Sequence, residues 1–251
     1  LNGKKDEVAY FSVWCPQEDA ARFVNACYES SITGKLRSGA HYYVISNNTY
    51  NIFDIETALT DEIDVLSFGT LSLLYEPGAS MYAALLHRAH AAGKLTMVDP
   101  NIRPAAIDST SGDITADGFR LRFRTWLPAV DILKVSEDDS HWLGLGEEGT
   151  TVDDWLEQGV TAVVMTRGGD GISVFTATGE YSVPGVPVDV VDTTGCGDAF
   201  SAGFLLGRCL GRSLADAAAL GCATAAQVAG GLGTDAGVYD LAAVEAFMAS
   251  T

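Results

Sequence analysis

The sequence predicts a doubly wound α/β fold built on a mostly parallel sheet. From about residue 61 onward, short apolar runs alternate with helical patterns, and a β-rich hairpin pattern follows Met165. Strands that are apolar throughout and separated by helices are typical of parallel sheets covered on both faces. The length of 251 residues suits one large domain, or a domain with a small appendage.

The individual elements follow from the same patterns, taken in chain order. Four apolar runs predict parallel strands at 65–68, 95–98, 132–135 and 162–165. Two β-rich runs on either side of Thr178-Gly179 predict an antiparallel hairpin, over 172–175 and 181–183. We expect a last strand at 188–191. The helices are expected near 79–91, 199–210, 213–229 and 241–249.

The first 60 residues read differently from the rest of the chain. A hairpin across Arg37-Ser38-Gly39 would stand apart from the helix-covered sheet, which suggests a β flap or lid at about 31–53. We therefore expect residues 1–60 to be the remnant of an N-terminal unit that carries this lid. Residues 61–251 are expected to form the α/β core with the functional site.

Composition excludes several functional classes. The formal net charge of -18 repels phosphate backbones, so nucleic-acid binding is not expected. No apolar run reaches the length of about 18 residues that spans a bilayer, so no membrane partner is expected. The five cysteines are widely spaced and form no zinc-ligand pattern with the four histidines. Reduced cysteines fit a cytoplasmic protein.

One motif joins the last predicted strand to a helix: Val191-Asp192-Thr193-Thr194-Gly195-Cys196-Gly197-Asp198. Glycines at such a turn let a ligand approach the backbone closely. The amides of Gly195, Cys196 and Gly197 would point at one spot at the positive end of the helix dipole, which makes an anion hole. Asp198 at its rim could take a proton from an attacking hydroxyl. The alternative is a tight turn with Asp198 as a helix cap.

This motif resembles the C-terminal signature of the ribokinase-type (PfkB) carbohydrate kinases, and the chain is most similar to their fructokinase and 2-keto-3-deoxygluconate kinase branch. The resemblance implies that Asp198 is the catalytic base and that Gly195, Cys196 and Gly197 hold the transferring phosphate of ATP. Similarity to members that bind a monovalent cation suggests Asp192 and Thr194 as K⁺ ligands.

A second segment, Asp99-Pro100-Asn101-Ile102-Arg103-Pro104, is similar to the D-P-N-x-R-P motif of the same family. The resemblance implies that Asp99 and Asn101 contact the substrate and that Arg103 contacts substrate or the transferring phosphate. Gly69, after the first core strand, would line the same sugar pocket. The alternative is that Asp99 caps a turn and Arg103 makes a structural salt bridge.

The segment from Lys134 to Asp139 occupies the place of the N-x-x-E motif of the family, with Ser136 for Asn and Asp139 for Glu. The resemblance implies Mg²⁺ binding through water by Asp139 with Glu137, and nucleotide contacts from Lys134 and Ser136. A solvated acidic helix start explains the same residues equally well.

Two further glycine-containing segments resemble the nucleotide-binding segments of the family. Thr166-Arg167-Gly168-Gly169-Asp170-Gly171 resembles its T-x-G-x-x-G loop, which implies ATP contacts by Thr166, Gly168, Gly169 and Gly171. Gly233 lies in a segment that resembles the one beside the adenine and cation sites of the family, which implies that its backbone comes close to these ligands. Each is alternatively a plain turn or a helix C-cap.

Together these resemblances imply an ATP-dependent kinase that phosphorylates a small sugar, with fructose or a related keto-sugar favoured and a homodimer paired through the lid. The opening strand of the family, with its substrate-binding Asp, is not found, so we expect the N-terminal strand unit to be absent. Two alternatives stay open: a catalytically impaired kinase-like protein that acts as a binding or regulatory partner, and a kinase for a nucleoside.

Overall fold

A computed structural model describes residues 64–74, 76, 78–102, 104, 107, 114–146, 150–233 and 240–250. The expected remnant at 1–60, its lid at 31–53 and the predicted site residue Arg103 lie outside the described residues. The chain divides into two compact units after Ala162. Among the described residues, unit 1 comprises 64–162 and unit 2 comprises 163–250.

Six strands occur in the described residues, in the hydrogen-bonded order β1-β2-β3-β4-β5-β6. β1 pairs parallel with β2 and β2 with β3, with Val65 opposite Leu95 and Met97 opposite Ile132. β5 and β6 pair antiparallel. The strands are β1 Val65–Phe68, β2 Leu95–Val98, β3 Ile132–Ser136, β4 Ala162–Thr166, β5 Ile172–Thr176 and β6 Gly179–Val183. Each apolar run and the hairpin are confirmed as strands.

The helices begin at residues that satisfy their first free amides. Thr115, Ser136, Thr151 and Ser213 each accept a backbone N–H with the side-chain hydroxyl, as N-cap residues do. Of the helices in the described residues, none is both long and apolar enough to cross a membrane. The helices are α1 Gly78–Ala91, α2 Ala116–Arg124, α3 Glu137–Trp142, α4 Val152–Glu157, α5 Cys196–Cys209, α6 Leu214–Ala229 and α7 Leu241–Ser250.

The core of unit 1 lies on β1 to β3. Met97 and Leu133 are fully buried, and Phe68 meets the buried ring of Trp126 edge to face at 6.2 Å. At the start of β2, Asp131 Oδ2 accepts from the amide and the hydroxyl of Thr96 at 2.8 and 2.9 Å. This pairing satisfies buried polar groups where β2 begins.

Unit 2 is built around the close approach of α5 and α6. A Cβ on Gly203 would lie 2.4 Å from Thr224 Oγ1, and one on Gly207 would lie 2.7 Å from Ala217 Cα. Only glycine lets the two backbones approach so closely, because any larger residue would overlap the neighbouring helix. Val244 of α7 packs with Leu220 and Ala223 of α6 in one buried cluster.

Two sequence predictions near the glycine-rich turn are corrected. Residues 188–191 form no strand: the amide of Val191 donates to Ala229 O at the end of α6, and Val190 and Val191 are 62% and 60% exposed. A β-branched run has strand propensity, but none of the strands in the described residues pairs with it. Helix α5 begins at Cys196 rather than Ala199, so Asp198 lies inside its first turn.

Candidate active site

In unit 1 the two charged residues predicted on neighbouring strands form one ion pair. Asp99 follows β2 directly, and Lys134 lies in the middle of β3. Lys134 Nζ donates to Asp99 Oδ2 at 2.5 Å, and the two side chains are only 7% and 14% exposed. The carboxyl ends of parallel strands are where such sheets bind ligands, so this pair lies at the expected edge. The ammonium of Lys134 is therefore engaged by Asp99.

Side chains of neighbouring elements form hydrogen bonds with the segment Asp99–Ile102. The hydroxyl of Thr70, which follows β1, donates to Pro100 O at 2.5 Å in a buried contact. Asp139 Oδ1, from α3, accepts the amide of Ile102 at 2.7 Å. Asn101 itself is exposed. Gly69 is also exposed, and a Cβ there would lie 4.0 Å from Asp99 O. The predicted sugar-side residues Gly69, Asp99 and Asn101 are thus neighbours in space.

The first turn of α3 contains a capping box. Ser136 Oγ accepts the amide of Asp139 at 3.0 Å, while Asp139 Oδ2 accepts the amide of Ser136 at 3.2 Å and its hydroxyl at 2.7 Å. Both oxygens of the buried Asp139 therefore accept hydrogen bonds from protein groups. The carboxylate of Glu137 is exposed one position into the helix. Within the described ranges, no group of three or more acidic, histidine or cysteine residues forms a metal cluster.

In unit 2 the glycine-rich turn opens α5 as its sequence predicts. Gly195 is the N-cap with φ 82° and ψ −4°, a left-handed conformation that favours glycine. Gly197 follows in the first turn, where helix amides lack intrahelical acceptors. The amide of Cys196 differs from expectation, because it donates to Thr193 O at 3.2 Å and closes the turn. Burial and the charge of Asp192 raise the pKa of the Cys196 thiol.

Asp198 lies three residues after the N-cap of α5 and is exposed. Its carboxylate receives no hydrogen bond or ion pair from the residues that the structure describes, in contrast to the helix-start carboxylates of Asp139, Asp154 and Asp216. The alternative of a capping role for Asp198 is therefore not realised. An exposed carboxylate beside free helix amides is available to an incoming ligand.

Asp192 organises the loop before the turn. Its Oδ1 accepts the amide and the hydroxyl of Thr194 at 2.9 and 2.8 Å, and its Oδ2 accepts the amide of Gly233 at 3.1 Å. These bonds lower the pKa of Asp192, with the amide of Thr194 the largest cause. The predicted cation ligands Asp192 and Thr194 thus bind each other, and Gly233, with φ 86°, binds the same carboxylate.

The loop after β4 and the segment after β6 contain glycines of two kinds. A Cβ on Gly171 would lie 2.2 Å from Val183 O, and one on Gly185 would lie 2.1 Å from Gly169 O, so these positions need glycine for internal packing. A Cβ on Gly168 or Gly169 would meet nothing within 4 Å. The backbone at Gly168 and Gly169 is therefore open to approach, and Thr166 ends β4 just before it.

The structure thus joins the predicted residues into two local groups. Unit 1 contains the group formed by Gly69, Asp99, Asn101, Lys134, Ser136, Glu137 and Asp139, and unit 2 contains the group formed by the glycine-rich turn, Asp192, Thr194, Asp198 and Gly233. The contact of Asp139 with the amide of Ile102 was not predicted. The capping half of that arrangement had a signal, since Ser-x-x-Asp is close to the capping-box pattern.

The fold and these groups define a class. A mostly parallel α/β sheet, a glycine N-cap and an exposed carboxylate in the first helical turn are typical of enzymes that bind phosphorylated ligands. A family model described as "pfkB family carbohydrate kinase" matches residues 30–240. The chain belongs to this family of carbohydrate kinases.

Individual relatives agree with that assignment. The chain is 36% identical over 169 residues to a fructokinase from Rhizobium leguminosarum bv. trifolii, which covers 62% of this chain and 50% of the relative. The chain therefore spans about half the length of that curated relative.

Solved structures agree in fold. A Vibrio cholerae O395 fructokinase, bound to fructose, ADP and calcium ion, superposes with a TM-score of 0.67 at 22% identity over 79% of this chain and 64% of that one. An aminoimidazole riboside kinase from Salmonella enterica, complexed with aminoimidazole riboside and an ATP analogue, gives 0.65 at 24% over 74% and 63%. The fold is ribokinase-like.

Proposed function

We propose that this protein transfers the γ-phosphoryl group of ATP to a hydroxyl of a small sugar, with fructose or a related keto-sugar as the first candidate. The observation that carries the proposal is the exposed carboxylate of Asp198 three residues after the left-handed Gly195 N-cap. The similarity to a fructokinase supports the choice of sugar. The fructose and ADP bound by a structural neighbour support the pair of substrates.

In the proposed reaction Asp198 acts as the general base. Its carboxylate accepts the proton of the sugar hydroxyl as the sugar oxygen forms a bond to the γ-phosphorus of ATP. The bond from that phosphorus to the bridging oxygen breaks, and ADP leaves. The amides of Gly195 and Gly197 donate to the phosphoryl oxygens, where negative charge develops. The amide of Cys196 contributes less, because it already closes the turn.

In this proposal the nucleotide contacts backbone groups of the loop after β4 rather than the side chain of a lysine. Gly168 and Gly169 leave open space beside their backbone, which fits the approach of phosphates or adenosine. Thr166 and Gly171, at the two ends of this loop, would determine its backbone conformation. Lys134 fits this role less well, since its ammonium is paired with Asp99. The predicted contact of Gly233 stays a proposal.

The chemistry of the donor set fits a hard divalent cation only in part. Glu137, an exposed residue in the first turn of α3, would hold Mg²⁺ through water, and both oxygens of Asp139 accept hydrogen bonds from protein groups. When bound, Mg²⁺ neutralises charge on the β- and γ-phosphates. For K⁺, the carboxylate of Asp192 is already bonded to Thr194 and Gly233.

On the sugar side we propose contacts from Asn101, Gly69 and Asp99, together with Arg103. Asn101 and Gly69 are exposed beside the buried ion pair of Asp99, so their polar groups are open to a ligand. A planar guanidinium such as that of Arg103 suits the transferring phosphate.

The test compares Asp198→Asn with Asp189→Asn in a coupled assay of ADP formation against a panel of sugars and nucleosides. Loss of the base should lower kcat by about 10²-fold or more while ATP affinity stays near that of the wild type. Asp189 is an exposed aspartate of the same unit, so its variant controls for the change in charge. An unchanged kcat for Asp198→Asn removes Asp198 from the role.

The second candidate is a kinase-like protein that binds ligands without turnover. The capping-box bonds of Ser136 and Asp139 favour it, because they engage groups that metal chemistry would use. Calorimetric binding of ATP without ADP formation for any acceptor would support this candidate. Turnover with a nucleoside but no sugar would instead identify a nucleoside kinase.

A further inference from the structure

Asp139 connects two parts of unit 1 that are far apart in sequence. Its Oδ2 completes the capping box of α3 with Ser136, and its Oδ1 accepts the amide of Ile102 at 2.7 Å. The second bond is buried and spans 37 positions of sequence. A hydrogen bond from a backbone amide to an ionised carboxylate is stronger than one between neutral groups. One carboxylate therefore fixes both the start of α3 and the end of the segment Asp99–Ile102.

The same segment is held at two further points. Lys134 Nζ holds Asp99 Oδ2 at 2.5 Å, and Thr70 Oγ1 holds Pro100 O at 2.5 Å. Each of the three holding side chains comes from a different element: the loop after β1, the strand β3 and the helix α3. Asp99, Pro100 and Ile102 are thus each bonded to a side chain from outside the segment.

Asn101, the remaining residue of the segment, is in a strained conformation. It has φ 43°, a left-handed value that is uncommon for residues other than glycine, although asparagine tolerates it better than most. Such a conformation persists where the surrounding structure determines it, and it is concentrated at ligand sites. The exposed Asn101 is thus presented by a segment that is fixed on both sides of it.

We propose that Asp139 is a positioning residue for the sugar-binding segment Asp99–Ile102 and not a ligand of the nucleotide-bound metal. This inference rests on the proposed sugar kinase function. Asp is shorter than Glu by one methylene, and the shorter side chain lets its two oxygens serve the capping box and Ile102 together. The departure of this chain from the N-x-x-E pattern thereby has a structural reason.

The proposal predicts that variants of Asp139 change the kinetic constants for the sugar and leave the Mg²⁺ dependence nearly unchanged. Without the bond to Ile102, the segment and the strained Asn101 relax, so the sugar is bound in a less productive geometry. A misplacement of about 1 Å in a positioning group can cost about 10²-fold in rate, and a smaller displacement costs less. The KM for sugar should rise, or kcat fall, by about tenfold, while the Mg²⁺ concentration at half-maximal activity stays within about twofold of wild type.

Asp154 offers a matched control for the capping contribution. It is also the N3 residue of a capping box, with Thr151 at the start of α4, but within the part of the chain that the structure describes its carboxylate bonds to Thr151 alone. Asp139→Ala and Asp154→Ala therefore both lose a helix cap, and only Asp139→Ala loses a bond to a distant segment. Asp139→Glu serves as a second variant that keeps the charge and has the side-chain length of the family motif.

The experiment measures three quantities for each variant: KM and kcat for fructose at saturating ATP, the half-saturating Mg²⁺ concentration, and hydrogen exchange of the Ile102 amide by NMR. Support consists of the expected sugar-side effect in Asp139→Ala and Asp139→Glu, faster exchange of Ile102 in both, and near wild-type kinetics in Asp154→Ala. The inference is overturned by a shift in Mg²⁺ dependence with sugar kinetics unchanged, or by an equal kinetic loss in Asp154→Ala.

The exchange measurement separates this inference from the proposed function. If the wild type forms no ADP with any acceptor, the kinase proposal fails, and Ile102 still reports on the positioning bond. Protection of the Ile102 amide that is lost in Asp139→Ala and kept in Asp154→Ala upholds the bond. Equal protection in all three proteins overturns it. If Asp139→Ala does not fold, Asp139→Glu supplies the same comparison.

Discussion

Lys134 and Asp99 form a nearly dehydrated ion pair, with Nζ and Oδ2 2.5 Å apart and side-chain exposures of 7% and 14%. Such a pair gains little net stability from its own attraction, because both charges lose their hydration. Breaking it by removing one partner is costly, since the other charge stays buried. The pair fixes the orientation of Asp99 at the carboxyl end of β2, next to the segment that we propose binds sugar.

Lys134→Met should destabilise the protein by about 3–5 kcal/mol, because the buried carboxylate of Asp99 loses its counter-charge. Urea unfolding measures the free energy of unfolding. Asp117→Asn is the control. The side chain of Asp117 is 91% exposed in its ion pair with Arg120, so loss of that pair should cost less than about 1 kcal/mol. Similar small losses for both variants would contradict the role of the buried pair.

Gly207→Ala should destabilise unit 2, although alanine normally favours helix. The added Cβ would lie 2.7 Å from Ala217 Cα, so α5 and α6 must move apart. Overpacking of this kind costs about 1–3 kcal/mol, which exceeds the gain in helix propensity of about 1 kcal/mol. Gly169→Ala is the stability control, because its Cβ meets nothing within 4 Å. A melting temperature of Gly207→Ala at or above that of Gly169→Ala would contradict the close packing.

Asp192 should contribute to the acid sensitivity of the fold. Its pKa is lowered from the ordinary 3.8, chiefly by the amide of Thr194, then by the hydroxyl of Thr194 and the amide of Gly233. A lowered folded-state pKa gives stability that is present above the unfolded value of 3.8 and is lost as pH falls through the folded value.

Asp192→Asn should therefore lose stability less steeply than the wild type as the pH falls below about 4. Urea midpoints taken between about pH 6 and about pH 3 measure the slope, with Asp189→Asn as the exposed-charge control that keeps the steep fall. Parallel curves for wild type and Asp192→Asn would show that the bonds from Thr194 and Gly233 do not persist in solution.

Much of the fold was predictable because the signals are local. The apolar runs that became β1 to β4 have the largely continuous hydrophobic pattern of strands covered on both faces, and Thr178-Gly179 marked the hairpin of β5 and β6. The run 188–191 is also rich in valine, but it pairs with none of the described strands, so its prediction was wrong. Composition alone does not specify the partner of a strand.

The candidate site likewise has features that local sequence predicts and contacts that it does not predict. The glycine pattern by itself predicted a glycine turn at the start of a helix with Asp198 beside it, because both depend on neighbouring residues, although α5 begins at Cys196 rather than at the expected Ala199. Only the tertiary structure decided that Lys134 pairs with Asp99 and that Asp139 binds the amide of Ile102, contacts that span 35 and 37 positions. Such partners depend on which strands and helices lie side by side, and that arrangement is fixed by burial of the whole core rather than by any local stretch of sequence.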